Sequence, residues 1–190
     1  ARFCAALRPA PWTPDPPEIR ELRALVRRLE ALTEMRQQEV NRLHVAPPVV
    51  AEAVQAHIDF LDHSIQTTKQ RIRGHIDNHP DLKHKKDLLN SIPGIGEATI
   101  HVALSEFADI TRFRNAKCLA AFIGVAPRER QSGSSVHGRT VLSKMGRGKL
   151  RKAFFMPALV ALRYNPILKA MKERLLAAGK AKMAIVGAAM

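Results

Sequence analysis

The residues best suited to chemistry form a serine-rich and arginine-rich stretch late in the chain. Residues 131–135 read Gln-Ser-Gly-Ser-Ser and lie within residues 128–152, which contain eight basic residues and one acidic residue. A serine hydroxyl among guanidinium groups is suited to attack a phosphodiester, because the cations favour the ionised hydroxyl and stabilise negative charge on the phosphorus. Ser-Gly loops are also common linkers. Composition alone therefore leaves a flexible linker as the alternative.

A second motif, at residues 88–99, has the pattern of a helix-hairpin-helix: a helix, a Pro-Gly-Ile-Gly turn and a helix of small residues. We predict that Gly94, Ile95 and Gly96 bring backbone N–H groups to a phosphate at the positive end of the following helix. Such contacts position DNA without reading its sequence. The alternative is an ordinary helix pair in a core, and Glu97 directly after the turn weakens the phosphate interpretation.

The charge distribution supports a polyanionic partner. The 190 residues carry a net charge of +14, with 14 basic and 12 acidic residues in 1–90 but 17 and 5 in 91–190. Such an excess favours nucleic acid over an acidic membrane surface. Aromatic residues are only 5% of the chain, which argues against a base-stacking platform for single strands. The longest strongly apolar run, residues 153–162, is too short to span a bilayer.

Metal and disulfide sites have little support in the sequence. Cys4 and Cys118 are far apart and form no CxxC motif, so neither a zinc finger nor a disulfide scaffold is expected. His75 and His79 have helical spacing, but no further ligand completes a set. Asp109 is the only aspartate of residues 91–190, so a two-metal carboxylate site cannot form there.

The pattern along the chain predicts a mainly α fold. Residues 9–17 contain five prolines and predict a stiff connector. Heptad-spaced apolar residues then predict two long helices, one that ends before Pro47 and one from Val49 to about Asn78. The two helices either fold back on each other as a long antiparallel coiled-coil arm or pair with the same helices of another copy. Further helices are expected at about 83–90, 97–107, 115–122 and 149–164, and as a pair after Pro166 that breaks at Gly179; a loop is expected at 125–148, with strand signals only at 121–125 and 140–142.

The order and spacing of several blocks resemble a known family. The blocks are residues 91–96, 113–127, 131–135, 143–147 and 150–153. Together they resemble the carboxy-terminal transposase domain of the insertion-sequence 110 family, the DEDD recombinases of bacterial mobile elements. The resemblance covers residues 87–190. It divides the chain into the tail of a truncated RuvC-like nuclease domain (1–12), a connector and coiled-coil hairpin (13–82), and a helix-hairpin-helix transposase domain truncated at its end (83–190).

The resemblance also implies an activity. Family members combine a metal-binding nuclease domain, for which Mg²⁺ is expected, with a serine that becomes covalently linked to DNA. Ser132 matches the recurrent Ser-Gly step, and Ser134 and Ser135 are the fallback candidates. Family members act as oligomers guided by a structured RNA, so the expected partners are DNA, a guide RNA and further copies of the chain. Arg147 stands where the family usually has Asn.

The combined prediction is a fragment of a bacterial DNA transposase that binds DNA in the cytoplasm, at the nucleoid, without completing strand exchange alone. The alternative is a non-catalytic helix-hairpin-helix protein that binds nucleic acid and dimerises through its coiled coil. In the transposase interpretation, Ser132 attacks and Arg128, Arg130 and Arg139 clamp the phosphate. The wider positive surface consists of Lys144, Arg147, Lys149, Arg151 and Lys152.

Overall fold

A computed structural model describes residues 6–8, 13–107, 109–133 and 135–190. The predicted mainly α class is confirmed. None of the described helices is long and apolar enough to cross a bilayer. The helices are α1 (Pro17–Leu43), α2 (Pro48–Asp77), α3 (Pro80–Asn90), α4 (Glu97–Glu106), α5 (Ala116–Ile123), α6 (Gly148–Tyr164), α7 (Pro166–Ala177) and α8 (Lys182–Ala189), with a 3₁₀ turn at Ile110–Arg112.

The two long helices α1 and α2 pack against each other in antiparallel directions. Leu32 of α1 contacts Leu61 and Ile65 of α2 in a small buried cluster. Arg36 Nε donates to Asp62 Oδ1 across the pair at 2.5 Å. Pro48 begins α2 soon after α1 ends at Leu43, and its fixed φ suits the first helical turn, so the short connection between the helices reverses the chain directly.

The main core lies where the base of this helix pair meets α3 and α4. It combines side chains from all four helices, so the amino-terminal part of α1 is integrated with the basic part of the chain. Arg23 of α1 reinforces the junction by donating from Nε to the Ser105 carbonyl at the end of α4, 3.0 Å away. The buried members are Ile19, Leu22, Val26, Ile72, Ile76, Leu82, Ile100 and Leu104.

Ile72 offers a direct test of this core. It is fully buried in the cluster, so Ile72→Ala removes three carbons and leaves a cavity. We expect a loss of about 2–5 kcal/mol in the free energy of unfolding, measured by chemical denaturation. Val49→Ala, at a position 88% exposed, is the control and is expected to change stability by less than about 0.5 kcal/mol. Equal effects at the two positions would contradict the described packing.

The prediction of a loop at residues 125–148 is wrong, because residues 127–142 form a β-hairpin. Strand β1 (Pro127–Ser132) pairs antiparallel with β2 (Val136–Leu142). The strand signal at 140–142 is confirmed, whereas the one at 121–125 is wrong. There α5 continues to Ile123 and ends at Gly124, whose φ of +84° lets the chain turn out of the helix.

Helix α6 connects the hairpin to the rest of the molecule. Leu150 is buried with Ile123 and Val125 below the hairpin, while the other end of α6 packs on α7 and α8. Pro157 lies inside α6 and cannot donate to the carbonyl of Ala153. Thr99 of α4 donates its hydroxyl to that carbonyl instead, at 3.3 Å, which joins α4 to α6.

Candidate nucleic-acid interface

The predicted nucleophile lies at the exposed tip of the β-hairpin. Ser132 is the last residue of β1 and pairs with Val136, which closes a three-residue loop. Gly133 has a φ of +57°, a left-handed conformation that glycine adopts without strain. Ser132 and Ser135 are both exposed, and Ser134 lies outside the described residues. The hydroxyl of Ser132 is therefore accessible to a large substrate.

Arg128 is placed on the same strand as Ser132. The two residues are an even number of positions apart on β1, so their side chains point to the same face of the strand. The pairing shifts between Arg128 and Arg130, and the extra residue falls on β2, which leaves β1 regular. The Arg128 side chain is exposed; those of Arg130 and Arg139 lie outside the described part.

The segment that follows β2 is anchored to the end of α5 by three backbone hydrogen bonds. Ser143, Lys144 and Arg147 donate their N–H groups at 2.9, 3.1 and 2.9 Å. Lys144 has a φ of +54° and so allows the segment to turn sharply. These contacts hold the base of the hairpin beside the start of α6. The acceptors are the carbonyls of Ala126, Gly124 and Phe122.

Two of the five cations predicted for the wider positive surface have acidic partners. Arg147 donates to the buried carboxylate of Glu106 and lies over the ring of Phe122, 5.2 Å from its centroid. Lys149 donates to Glu30 on α1. These two cations thus hold the structure together as well as adding charge.

The other three cations are not ion-paired within the described residues. Arg151 donates only a long hydrogen bond, 3.5 Å, to the carbonyl of Lys144, and the side chain of Lys152 is exposed. Lys144, Arg151 and Lys152 therefore remain available for phosphate oxygens.

The amino-terminal end of α6 lies within this basic segment, one residue before the predicted start, but sequence reasoning did not identify its N–H groups as an anion site. The helix begins at Gly148. Its first N–H group with an acceptor in the preceding turn is that of Arg151, which donates to the Arg147 carbonyl at 3.2 Å. The preceding N–H groups have no intrahelical acceptor and point along the positive end of the helix dipole. Sequence residues 146–148, Gly-Arg-Gly before a helical pattern, are the signal that would have indicated it.

A turn at residues 91–96 joins α3 to α4, and the residues predicted to contact a phosphate there face different surroundings. A Cβ on Gly94 would lie 3.1 Å from Ala161 of α6, so this glycine permits close packing between the turn and α6. The Ile95 N–H already donates to the Ile92 carbonyl at 3.1 Å. Gly96 is exposed, with open space around its Cα. Of the three predicted phosphate contacts, the Ile95 N–H is already bonded and Gly96 is the exposed one.

A carboxylate, that of Glu97, lies directly after that turn. Glu97, the first residue of α4, accepts two hydrogen bonds from Arg73, at 2.5 and 2.7 Å. These bonds hold the pKa of Glu97 below its usual range, so it is ionised at neutral pH. Its negative charge opposes a phosphate at the start of α4. The basic segment at the start of α6 is the more favourable anion site.

The described residues do not form a metal site. No group of three His, Cys, Asp or Glu side chains in these ranges is arranged to hold an ion. The residues present therefore do not fit the divalent metal that the resemblance implies for the nuclease domain. The reactive groups that the hairpin and the basic segment do present are a serine hydroxyl and several cations.

Comparison with known proteins supports the resemblance. Residues 86–173 match the family model described as Transposase IS116/IS110/IS902 family. This range contains the helix-hairpin-helix turn, the β-hairpin with Ser132, the basic segment and α6. The family match thus includes the backbone hydrogen bonds that fix the base of the hairpin to the end of α5.

Three curated relatives extend the similarity. The chain is 33% identical over 191 aligned residues to the pilin gene-inverting protein of Moraxella bovis, and 32% identical to that of Moraxella lacunata; in both, all of this chain matches 59% of the relative. It is 27% identical to an uncharacterized 43.6 kDa protein of insertion element IS110 from Streptomyces coelicolor, over 70% of this chain and 31% of the relative. The chain thus spans about three fifths of the length of the two Moraxella proteins.

Proposed function

Because residues 86–173 place this chain in the IS116/IS110/IS902 family of transposases, we propose that it binds DNA and supplies the serine nucleophile of a strand-exchange reaction. One observation carries the proposal. Ser132 is exposed at the tip of a hairpin whose base is fixed to a cationic segment and to the start of α6. This arrangement presents an exposed hydroxyl at the end of a hairpin that starts from a surface suited to the sugar-phosphate backbone.

The proposed step is a transesterification. The Ser132 Oγ forms a bond to the phosphorus while the bond from phosphorus to a deoxyribose oxygen breaks. The serine proton passes to a base, and the departing oxygen takes up a proton. The phosphoserine ester conserves the energy of the broken bond, so a second deoxyribose hydroxyl can reverse the step at a new junction. Arg128 lies on the same strand face as Ser132 but about 13 Å along the strand from it, so its guanidinium is placed to hold a neighbouring phosphate of the DNA backbone.

The wider activity is proposed from the relatives. Two of them are named for inverting a pilin gene, and inversion, like transposition, breaks and rejoins DNA strands. We propose that residues outside this chain supply the acidic metal site, so that the chain alone binds DNA without completing exchange. Guide RNA, oligomerisation through α1 and α2, and action at the bacterial nucleoid in the cytoplasm belong to the same proposal.

DNA binding through the basic segment has a measurable salt dependence. Replacing both Lys144 and Lys152 with glutamine removes two charges and keeps the side-chain length. If both lysines contact phosphates, the double variant binds duplex DNA more weakly, and the slope of log K against log salt falls by about 1.8. The measurement is a fluorescence-anisotropy titration at several salt concentrations.

The matched control replaces Lys172 and Lys182, which lie with Arg163 beside the far end of α6. That pair carries the same charge but is more than about 15 Å along the helix from the basic segment. It should leave most of the slope intact. If the two double variants change the slope equally, binding is non-specific attraction to net charge, and the proposed interface is wrong.

A further inference from the structure

A small cavity beside the hairpin base has a chemistry that strand transfer does not use. Its volume is about 260 Å³, below the range of about 300–1,000 Å³ that is typical of pockets for drug-sized ligands. Its size suits one ring system rather than an extended segment. It shares Phe122 and Arg147 with the anchor of the hairpin, so it lies next to the proposed DNA-binding surface.

Aromatic rings form one wall of this cavity. Phe113 and Phe122 have ring centroids 5.0 Å apart, and Phe107 lies 6.2 Å from Phe122. All three rings are half-buried and line the open space, and the Arg147 guanidinium covers one face of Phe122. A planar heteroaromatic group can stack on such a wall, as unpaired bases do on aromatic side chains in proteins that bind nucleic acid.

Four of the charged side chains that line the cavity are already paired with each other. Glu106 accepts from Arg147, and Asp15 accepts from Arg23 at 2.7 Å. These pairs close the inner end and fix its shape. A ligand must therefore be recognised by polar groups nearer the mouth.

The 3₁₀ turn places one acceptor and one donor at the mouth. Asp109 Oδ1 accepts from the backbone N–H and the hydroxyl of Thr111, at 2.8 and 2.6 Å. These bonds hold the pKa of Asp109 below its usual range, so it is an ionised acceptor whose Oδ2 has no hydrogen-bond partner among the described residues. Arg112 also lines the cavity and has no ion pair in the described part of the chain.

We propose that this cavity binds an unpaired guanine base of the nucleic acid, an inference that rests on the proposed function. The open Oδ2 of Asp109 favours a ligand with an N–H donor. Guanine can donate from its N1–H or N2–H₂ group to this oxygen, and its O6 and N7 acceptors suit the guanidinium of Arg112. Its bicyclic ring stacks on the phenylalanine wall. Proteins that act on DNA commonly take single bases out of the stack in this way.

The test measures binding of the purified chain to a DNA duplex that contains one unpaired guanine. The same duplex with an unpaired adenine, with an abasic site, or with no bulge provides the comparison. We expect the guanine bulge to bind about tenfold more tightly than the abasic bulge. Asp109→Asn keeps the acceptor for Thr111 but replaces Oδ2 with an amide, so it should abolish the preference for guanine over adenine. Asp87→Asn on α3, an exposed aspartate that does not line the cavity, is the control for charge and should keep it.

Phe113→Leu separates stacking from hydrogen bonding. It should weaken binding of both the guanine and the adenine bulge by about tenfold while binding of the plain duplex is unchanged. Equal affinity of the unmodified chain for guanine, adenine and abasic bulges would overturn the inference and leave the proposed DNA binding intact, provided that the plain duplex still binds. Failure to bind any of these duplexes would overturn the proposed function and the base site together.

Discussion

Replacing Ser132 with alanine is expected to abolish strand exchange while DNA affinity stays within about twofold of the unmodified protein. In the proposed mechanism the hydroxyl forms the covalent bond to phosphorus, so the loss should be at least about 10⁴-fold, as is typical when a nucleophile is removed. Affinity is retained because the cations of the basic segment are untouched. The measurement is recombination of element-end DNA by a preparation that includes the proposed acidic metal site, with an anisotropy titration of the same preparation.

Ser135→Ala is the matched control, because Ser135 is also exposed at the hairpin tip. It should retain exchange. If Ser135→Ala eliminates exchange and Ser132→Ala does not, the nucleophile is at the other side of the loop. If exchange survives in these two variants and in Ser134→Ala, the alternative of a non-catalytic nucleic-acid-binding protein is correct for this part of the chain.

Gly146→Ala is expected to cause the largest loss of stability from the addition of one methyl group. A Cβ at this position would lie 2.5 Å from the Phe122 carbonyl oxygen and 2.6 Å from the Gly124 nitrogen. Both are backbone atoms held by the anchor of the hairpin, so they cannot move aside as a flexible side chain would. We expect a loss of about 3 kcal/mol or more in the free energy of unfolding, measured by chemical denaturation.

Gly148→Ala tests whether this loss is specific. Its Cβ would have no neighbour closer than Arg151 Nη2 at 3.6 Å, and alanine favours a helix over glycine. The variant should be neutral or slightly more stable. A Gly146→Ala protein as stable as the unmodified chain would show that the basic segment does not pack against the end of α5 as described.

The heptad pattern was sufficient to predict the two long helices, because a buried seam requires apolar residues at helical spacing. Its outcome is visible at Leu22, Leu32, Ile58, Leu61 and Ile72, which are all buried. The same signal could not predict that the base of the helix pair joins α4 in one core. That contact depends on tertiary packing between residues far apart in sequence.

The hairpin escaped the sequence analysis because its first strand has no apolar face. Strand β1 reads Pro-Arg-Glu-Arg-Gln-Ser, whereas strand patterns are recognised by alternating apolar residues. Its position is set by pairing with β2 and by the backbone anchor at Ser143 and Lys144. The motif was sufficient to single out the serine at the tip, but it could not predict that this serine is exposed.

The partners of the cations were also beyond sequence reasoning. Arg147 and Glu106 are 41 residues apart, and Lys149 and Glu30 are 119 residues apart. A charge run gives the sign of a surface and not the identity of the groups that neutralise it. The structure therefore separates Arg147 and Lys149, which brace the fold, from Lys144, Arg151 and Lys152, which face solvent without acidic partners in the described residues.

The central claim is that Ser132 becomes covalently attached to DNA, and trapping that linkage tests it most directly. A DNA substrate with a nick close to the cleavage position releases a short fragment, which prevents reversal and preserves the adduct. Protease digestion and mass spectrometry then locate the nucleotide on the protein. We predict a single modified peptide with the phosphodiester on Ser132. A nucleotide attached to another residue, or complete exchange without any covalent adduct, would contradict the account.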